Sequence, residues 1–297
     1  MSNRAESFLL GLVGDGVTPS LTPPMHEREA EALGLRLLYR PIDLLELGLP
    51  ATAIGDLLSA ARRLGFNGLN VTHPCKQLVL PFLDELSPEA RQLGAVNTVL
   101  FDGPRAIGYN TDCSGFGSAF AAGLPDAALD RVVQLGAGGA GSAVAYALLK
   151  SGAASLHLVD VDAARAAQRA AELARLFPQR SITGHGTCEL PDLLPAADGL
   201  VHCTPVGMSA HPGLPLDAAL LESRHWVADI VYRPIETELV RTARALGCQV
   251  LDGGRMAVGQ AQDAFGIFTG KTADPDRMRR HFLELVAAES MLSAVAG

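Results

Sequence analysis

Two hydrophobic periods alternate along this 297-residue chain. Short apolar runs bounded by Gly, Pro, Asn or Asp read as strands, and stretches with apolar residues three and four apart read as helices. Residues 8–13 predict a strand that breaks at Gly14-Asp-Gly16. A polar loop over 18–22, placing Ser20 and Thr22 on one side of an extended segment, leads through Pro23-Pro24 into a helix over 25–33. Residues 36–42 predict a second strand, 51–64 an amphipathic helix and 69–72 a short strand. Pro74 and Ser87-Pro-Glu-Ala open two further helices, and 94–101 is again strand. This β-α-β-α-β alternation predicts a mostly parallel sheet flanked by helices. The turn Asn110-Thr-Asp112 opens a helix over 114–122 and marks a domain boundary.

The second half repeats the alternation around one stretch. Residues 132–135 form a short, mostly apolar run, which breaks at Gly136 and is followed by an alanine-rich helical pattern to about 152. Gly136, Gly138 and Gly141 fit Gly-x-Gly-x-x-Gly. The first glycine allows the tight turn, the second lets backbone approach a pyrophosphate, and the third packs helix on strand. Unpaired N–H groups at the helix start favour the negative charge. The next strand, 155–159, ends in Asp160, 19 residues after Gly141. An acid there hydrogen-bonds the adenosine ribose hydroxyls and repels a 2′-phosphate, which points to NAD rather than NADP. The alternative is that Asp160 caps the helix over 163–176, with Asp162 a rival for that position. Beyond it, 178–186 is irregular with one short strand, 199–203 and 226–231 predict buried parallel strands, 236–246 a helix and 249–251 a last strand. Helices over 256–268 and 275–289 follow and return to the first domain. The expected division is 1–112, 113–254 and 255–297.

Composition narrows the class without changing it. Hydrophobic residues make up 48% and charged residues 19%, enough for a sizeable core and too apolar for disorder. The net charge of −8 argues against nucleic acid or an anionic membrane as the main partner. Five cysteines stand singly, which fits reduced thiols in a cytoplasmic protein and excludes a Cys-x-x-Cys metal site. No leader is visible at the N-terminus, and no stretch reaches the roughly 18 unbroken apolar residues of a membrane span.

Four polar clusters remain in the first domain: Ser20-Leu-Thr22 with His26, Asn70-Val-Thr-His-Pro-Cys-Lys76, Asn97-Thr98, and Asn110-Thr-Asp112. Open α/β folds bind ligands at strand C-termini, and these hydroxyls, amides, lysine and aspartate suit a small polyol carrying a carboxylate. Lys76 and Asp112 are a candidate acid–base pair. Each residue also has a plain reading. Ser20 and Thr22 cap a helix, Asn97 satisfies a tight turn, Lys76 is a solvated helix residue, and Asp112 is an N-cap.

With these clusters the chain resembles the shikimate and quinate dehydrogenases over nearly its whole length. The matching motifs are Ser20-Leu-Thr-Pro, Asn70-Val-Thr-His-Pro-Cys-Lys76, Gly94-Ala-Val-Asn-Thr98, Gly108-Tyr-Asn-Thr-Asp112 and Gly136-Ala-Gly-Gly-Ala140. Thr204-Pro-Val-Gly-Met208, Asp229-Ile-Val-Tyr-Arg-Pro234 and Gly259-Gln-Ala-Gln-Asp-Ala-Phe265 continue them. The resemblance implies an N-terminal substrate domain, a Rossmann-type cofactor domain and C-terminal helices returning to the first. It implies that Ser20 and Thr22 bind the substrate carboxylate, that Thr72, Asn97, Asp112 and Gln260 hold ring hydroxyls, and that Lys76 with Asp112 moves the proton. On the cofactor side it implies Gly136, Gly138, Gly139 and Ala140, with Thr204 and Tyr232 lining the site and Val231 and Gly254 at the nicotinamide. The reaction implied is oxidation of a ring hydroxyl of quinate or shikimate to the ketone.

Departures from the family pattern refine this. NADP-using biosynthetic enzymes usually carry Asn-Arg-Ser/Thr after the second strand, where this chain reads Asp160-Val161-Asp162 with Arg165 a turn later. Thr22, in place of a usual serine, and His73 point the same way, to the NAD-using quinate/shikimate dehydrogenases of catabolism. His202-Cys203 replaces a usual asparagine before Thr204, and Glu27 stands where asparagine is common. A monomer or homodimer acting on a small carboxylated cyclohexane polyol is expected. A shikimate-only or amino-substrate enzyme of the same fold, and a non-catalytic sensor, are the alternatives.

Overall fold

The structure, a computed structural model, describes residues 7–296, with side chains described to 289. The N-terminal stretch read above as lacking a leader lies outside the described residues. The chain divides into two compact units, Met1–Thr111 with Gln260–Gly297, and Asp112–Gly259.

The first unit holds β1 (Ser7–Gly14), β2 (Arg36–Asp43), β3 (Gly68–Val71), β4 (Glu85–Leu86), β5 (Thr98–Asp102) and β6 (Arg105–Tyr109), in the order β2-β1-β3-β5-β6-β4. β1 pairs in parallel with β2 and β3, whereas β5 runs antiparallel to both β3 and β6. β4 also pairs in parallel with β6, so among the described residues β5 is the one reversed strand and the sheet is mostly parallel, as expected. Its turning point is the hairpin at Gly103-Pro104, where Gly103 sits at φ 58°. Its helices are α1 (Thr22–Ala32), α2 (Leu44–Leu47), α3 (Ile54–Arg63), α4 (Cys75–Leu78) and α5 (Pro88–Leu93). Ser87 caps α5, its hydroxyl accepting from Ala90 N at 3.2 Å. α1 starts earlier than expected: Thr22 already lies within it, and its N-cap is Leu21, without a side-chain cap bond. Val13, Ile54, Leu58, Leu69, Val71 and Val99 form the core beneath the sheet.

The second unit carries β7 (Arg131–Leu135), β8 (Ser155–Asp160), β9 (Ser181–Gly186), β10 (Gly199–His202), β11 (Trp226–Asp229) and β12 (Gln249–Leu251). Every pairing is parallel, in the order β12-β11-β10-β7-β8-β9. Numbered within the unit and read from β9, this is 3-2-1-4-5-6, the Rossmann order, whose switch point lies between β7 and β10. β9 is a full strand of six residues rather than a short piece in an irregular segment. β10 and β11 are buried at every position, as strands of a parallel sheet covered on both faces are, including the polar His202 and Asp229 that close them. The flanking helices are α6 (Thr111–Gly123), α7 (Gly139–Lys150), α8 (Ala163–Leu176), α9 (Leu190–Leu193) and α10 (Glu238–Ala245).

Two helices close the chain, α11 (Gly253–Thr269) and α12 (Pro275–Ala296). The division between units falls inside α11. α12 packs on α1, where Arg277 grips the buried Glu29 through Nε at 2.8 Å and Nη2 at 2.6 Å.

Candidate active site

In the first unit the polar residues gather at the ends of β1 and β3. Asp15 N donates to His73 O at 3.0 Å, tying together the two loops that leave these strands. Asp43, which no sequence motif singles out, braces the loop before Ser20. Its carboxylate accepts from Gly16 N at 2.9 Å, Thr18 N at 3.0 Å and Thr18 Oγ1 at 3.1 Å. Ser20 Oγ accepts from Thr22 N at 3.2 Å, so this hydroxyl also serves the start of α1. Thr22 itself lies on the first turn of that helix, not on an extended loop. Thr72 follows β3 directly, its N–H donating to Val13 O at 2.9 Å. Lys76 stands half-buried on α4, and its carbonyl accepts from Val96 N at 2.8 Å, which holds residue 76 beside the segment entering Asn97. Gln260 is half-buried on α11.

Asn97 precedes β5 instead of interrupting it, and a buried network fixes its carboxamide. Tyr39 Oη donates to Asn70 Oδ1, and Asn70 Nδ2 donates to Thr98 Oγ1 at 2.8 Å and to Asn97 O at 3.1 Å. Asn97 Oδ1 accepts from Thr111 N at 2.7 Å and Thr98 Oγ1 at 3.0 Å, while its Nδ2 donates to Thr111 Oγ1 at 3.0 Å. A buried amide engaged at both ends cannot flip without leaving several partners unsatisfied. Asp112, the residue after Thr111, is buried in the first turn of α6. The unusual Glu27 acts locally. Its Oε1 accepts from Tyr39 N at 2.9 Å, anchoring the strand that carries this network's phenol.

In the second unit the glycine turn behaves as the spacing requires. Gly136 sits at φ 95°, and a Cβ there would stand 2.6 Å from Cys203 O. A Cβ on Gly141 would meet Gly136 O at 2.2 Å. Gly138 is different, because a Cβ there would meet nothing within 4 Å. It is the N-cap of α7 and offers no side chain to that helix's first N–H groups. Gly139 and Ala140 form the first turn, and Gly139 likewise faces open space. Room and unpaired donors are thus left where a pyrophosphate would lie, and the turn fits a dinucleotide.

Asp160 closes the other side. Its carboxylate accepts from Ala137 N at 2.8 Å, Asp162 N at 3.0 Å, and Arg165 at 3.2 Å from Nε and 2.5 Å from Nη2. Burial raises its pKa, but the Arg165 guanidinium and the two N–H donors outweigh this and hold the carboxyl below its usual range. Asp162, not Asp160, caps α8, accepting from Ala164 N at 3.0 Å and Arg165 N at 3.1 Å. Gly136, Gly138, Asp160, Arg165, Thr204 and Leu216 line one cavity of about 670 Å³. Val231 and Gly254 are not in its lining; their N–H groups donate to Asp229 Oδ1 at 2.9 Å and Asp252 Oδ1 at 3.1 Å.

A parallel sheet in Rossmann order with a complete glycine turn, joined to a mixed α/β unit rich in hydroxyls and amides, defines a dinucleotide-type oxidoreductase. Comparison with known proteins narrows the class. The sequence profile of the shikimate dehydrogenase substrate binding domain matches residues 12–99. A shikimate dehydrogenase (NADP(+)) of Arthrobacter sp. (strain FB24) is 74% identical over 291 residues, covering 98% of this chain and 99% of that one. A quinate/shikimate dehydrogenase (NAD(+)) of Corynebacterium glutamicum (strain ATCC 13032) is 52% identical, covering 94% and 99%. Among solved structures, quinate dehydrogenase from Corynebacterium glutamicum in complex with NAD matches with a TM-score of 0.89 at 51% identity, over 94% of this chain and 99% of that one. The chain belongs to the shikimate and quinate dehydrogenase family.

Proposed function

We propose that this enzyme oxidises one ring hydroxyl of quinate and of shikimate to the 3-dehydro ketone, with NAD as the hydride acceptor. The observation that carries the cofactor choice is the Asp160 carboxylate in the wall of the cavity, where a 2′-phosphate would meet like charge. Among the described residues lining that cavity, Arg165 is the one cationic side chain, and Asp160 already engages it. The NADP naming of the 74% identical relative weighs the other way. The Asp160–Arg165 pairing supports NAD more directly, because in this reading these are the side chains that meet the adenosine ribose.

In this reading Ser20 and Thr22 hold the substrate carboxylate, while Thr72, Asn97 and Gln260 hold ring hydroxyls. Lys76 takes the proton of the reacting hydroxyl as general base, and Asp112 orients both. The turn at Gly136, Gly138, Gly139 and Ala140 receives the pyrophosphate, Asp160 with Arg165 faces the adenosine ribose, Thr204 and Tyr232 line the site, and Val231 and Gly254 flank the nicotinamide. The nicotinamide, when bound, supplies the hydride acceptor. The substrate domain spans 1–112, the cofactor domain 113–254, and the helices of 255–297 serve the first.

Calorimetric titration with NAD and with NADP tests the cofactor choice. NAD should bind at least about tenfold more tightly, a difference of about 1.4 kcal/mol. Tighter binding of NADP would contradict it.

A further inference from the structure

The residue that departs from the family pattern before Thr204 has a specific geometry. His202 closes β10 and is fully buried; Asp229 closes β11 directly beside it, since the two are register partners. His202 Nδ1 lies 2.9 Å from Asp229 Oδ1, and Nε2 lies 2.5 Å from Thr204 Oγ1. Asp229 is itself fixed: Oδ1 also accepts from Val231 N at 2.9 Å, and Oδ2 accepts from Thr237 Oγ1 at 2.7 Å.

We propose that His202 is a positioning residue for the Thr204 hydroxyl, an assignment that rests on the dinucleotide reading of the cavity that Thr204 lines. A carboxylate only accepts, so the nitrogen facing Asp229 is the one that carries the hydrogen. In the neutral ring Nε2 is then an acceptor and takes the Thr204 hydroxyl hydrogen. Val206 N approaches one Thr204 lone pair at 3.3 Å. Thr204 lines the cavity, so the lone pair left over is open to a ligand there and Thr204 offers an acceptor. It takes a hydrogen from a ligand hydroxyl or amide and turns away from phosphate oxygens. Through Asp229 the same unit also holds the main chain at Val231, so one buried pair sets two parts of the cofactor side at once.

Two isosteric variants separate positioning from mere packing. Asparagine overlays the Nδ1 half of the ring, keeping a donor for Asp229 but falling short of Thr204. Glutamine overlays the Nε2 half and still reaches Thr204. The experiment uses the full-length enzyme with whichever of NAD and NADP the wild type binds. In His202→Asn the KM and Kd for the dinucleotide should rise about tenfold, with kcat within about twofold and melting temperature near wild type. His202→Gln should recover most of the affinity. In a Thr204→Val background, His202→Asn should add nothing, because the group it positions is gone. Additive losses in the double variant, or a loss by Thr204→Val with no loss by His202→Asn, would overturn the proposal. If His202→Asn does not fold, the glutamine variant with and without Thr204→Val makes the same comparison. A wild type that binds neither dinucleotide overturns the cofactor reading itself, a different outcome from a wild type that binds one and is indifferent to residue 202.

Discussion

The carboxylate of Asp160 accepts the main-chain N–H of Ala137 at 2.8 Å, joining the end of β8 to the glycine turn that leaves β7. One residue therefore braces the glycine turn and places a carboxylate in the wall of the same cavity, which the proposed reading gives to the adenosine ribose. Asp160→Asn keeps the shape and removes the charge. The ratio of kcat/KM for NAD to that for NADP should shift toward NADP by about tenfold or more, since a like-charge contact of this kind is worth at least about one pKa unit. Steady-state kinetics with both dinucleotides measures it, and an unchanged ratio would remove Asp160 from cofactor choice.

Lys76 is assigned the proton transfer. Lys76→Ala should lower kcat by about 10²- to 10⁴-fold, the usual contribution of a positioned base. Dinucleotide affinity, read by calorimetry, should stay within about twofold. A variant that loses affinity while keeping turnover would place Lys76 in binding instead.

The pair between Glu29 and Arg277 fastens α12 to α1. Glu29 is wholly buried, and its Oε1 also accepts from Asp274 N at 2.8 Å. Removing the guanidinium leaves a buried carboxylate with one main-chain donor. Arg277→Ala should cost about 2–3 kcal/mol in urea unfolding, less than a fully buried pair because the Arg277 side chain keeps 24% of its exposure. A cost below about 0.5 kcal/mol would mean that α12 is held by its apolar contacts alone.

Stability should also depend on pH through His26. Burial among Tyr39, Phe265 and Phe268 drives its pKa down from 6.5 to about 4, against the Thr22 carbonyl and Glu29, which raise it. A histidine lowered in the folded state binds its proton more readily when unfolded. Its contribution is therefore complete above about pH 6.5 and is lost as pH falls toward 4. By pH 5 the loss is about 2 kcal/mol. Urea unfolding at pH 7 and pH 5 should show that much less pH dependence in His26→Phe than in the wild type; equal dependence would contradict it.

The cofactor half is the more legible part of the sequence. This parallel Rossmann sheet is built from short, mostly apolar strands around one glycine spacing, and 132–135, 163–176 and 249–251 fall within a residue of β7, α8 and β12. The substrate half is harder. β6 begins with an exposed arginine and carries Gly108 in its interior, which weakens a strand pattern and hides the Gly103-Pro104 turn that reverses the chain. Asn97 looks like a strand residue because its neighbours are apolar. Only the partners it finds in Thr98 and Thr111 reveal that it stands before the strand. His202 carries the weakest signal. A histidine in an apolar run has no pattern of its own, and its partner Asp229 lies 27 residues on. The one clue is that both close adjacent strands at the end of the sheet where ligands bind.

The most direct test of the proposed activity is a four-way initial-rate assay, with quinate and shikimate each offered with NAD and with NADP. The Asp160 assignment predicts reduction of NAD by both acids and little or no rate with NADP. Turnover of shikimate with NADP alone would contradict it and place this enzyme with the NADP-using members of its family.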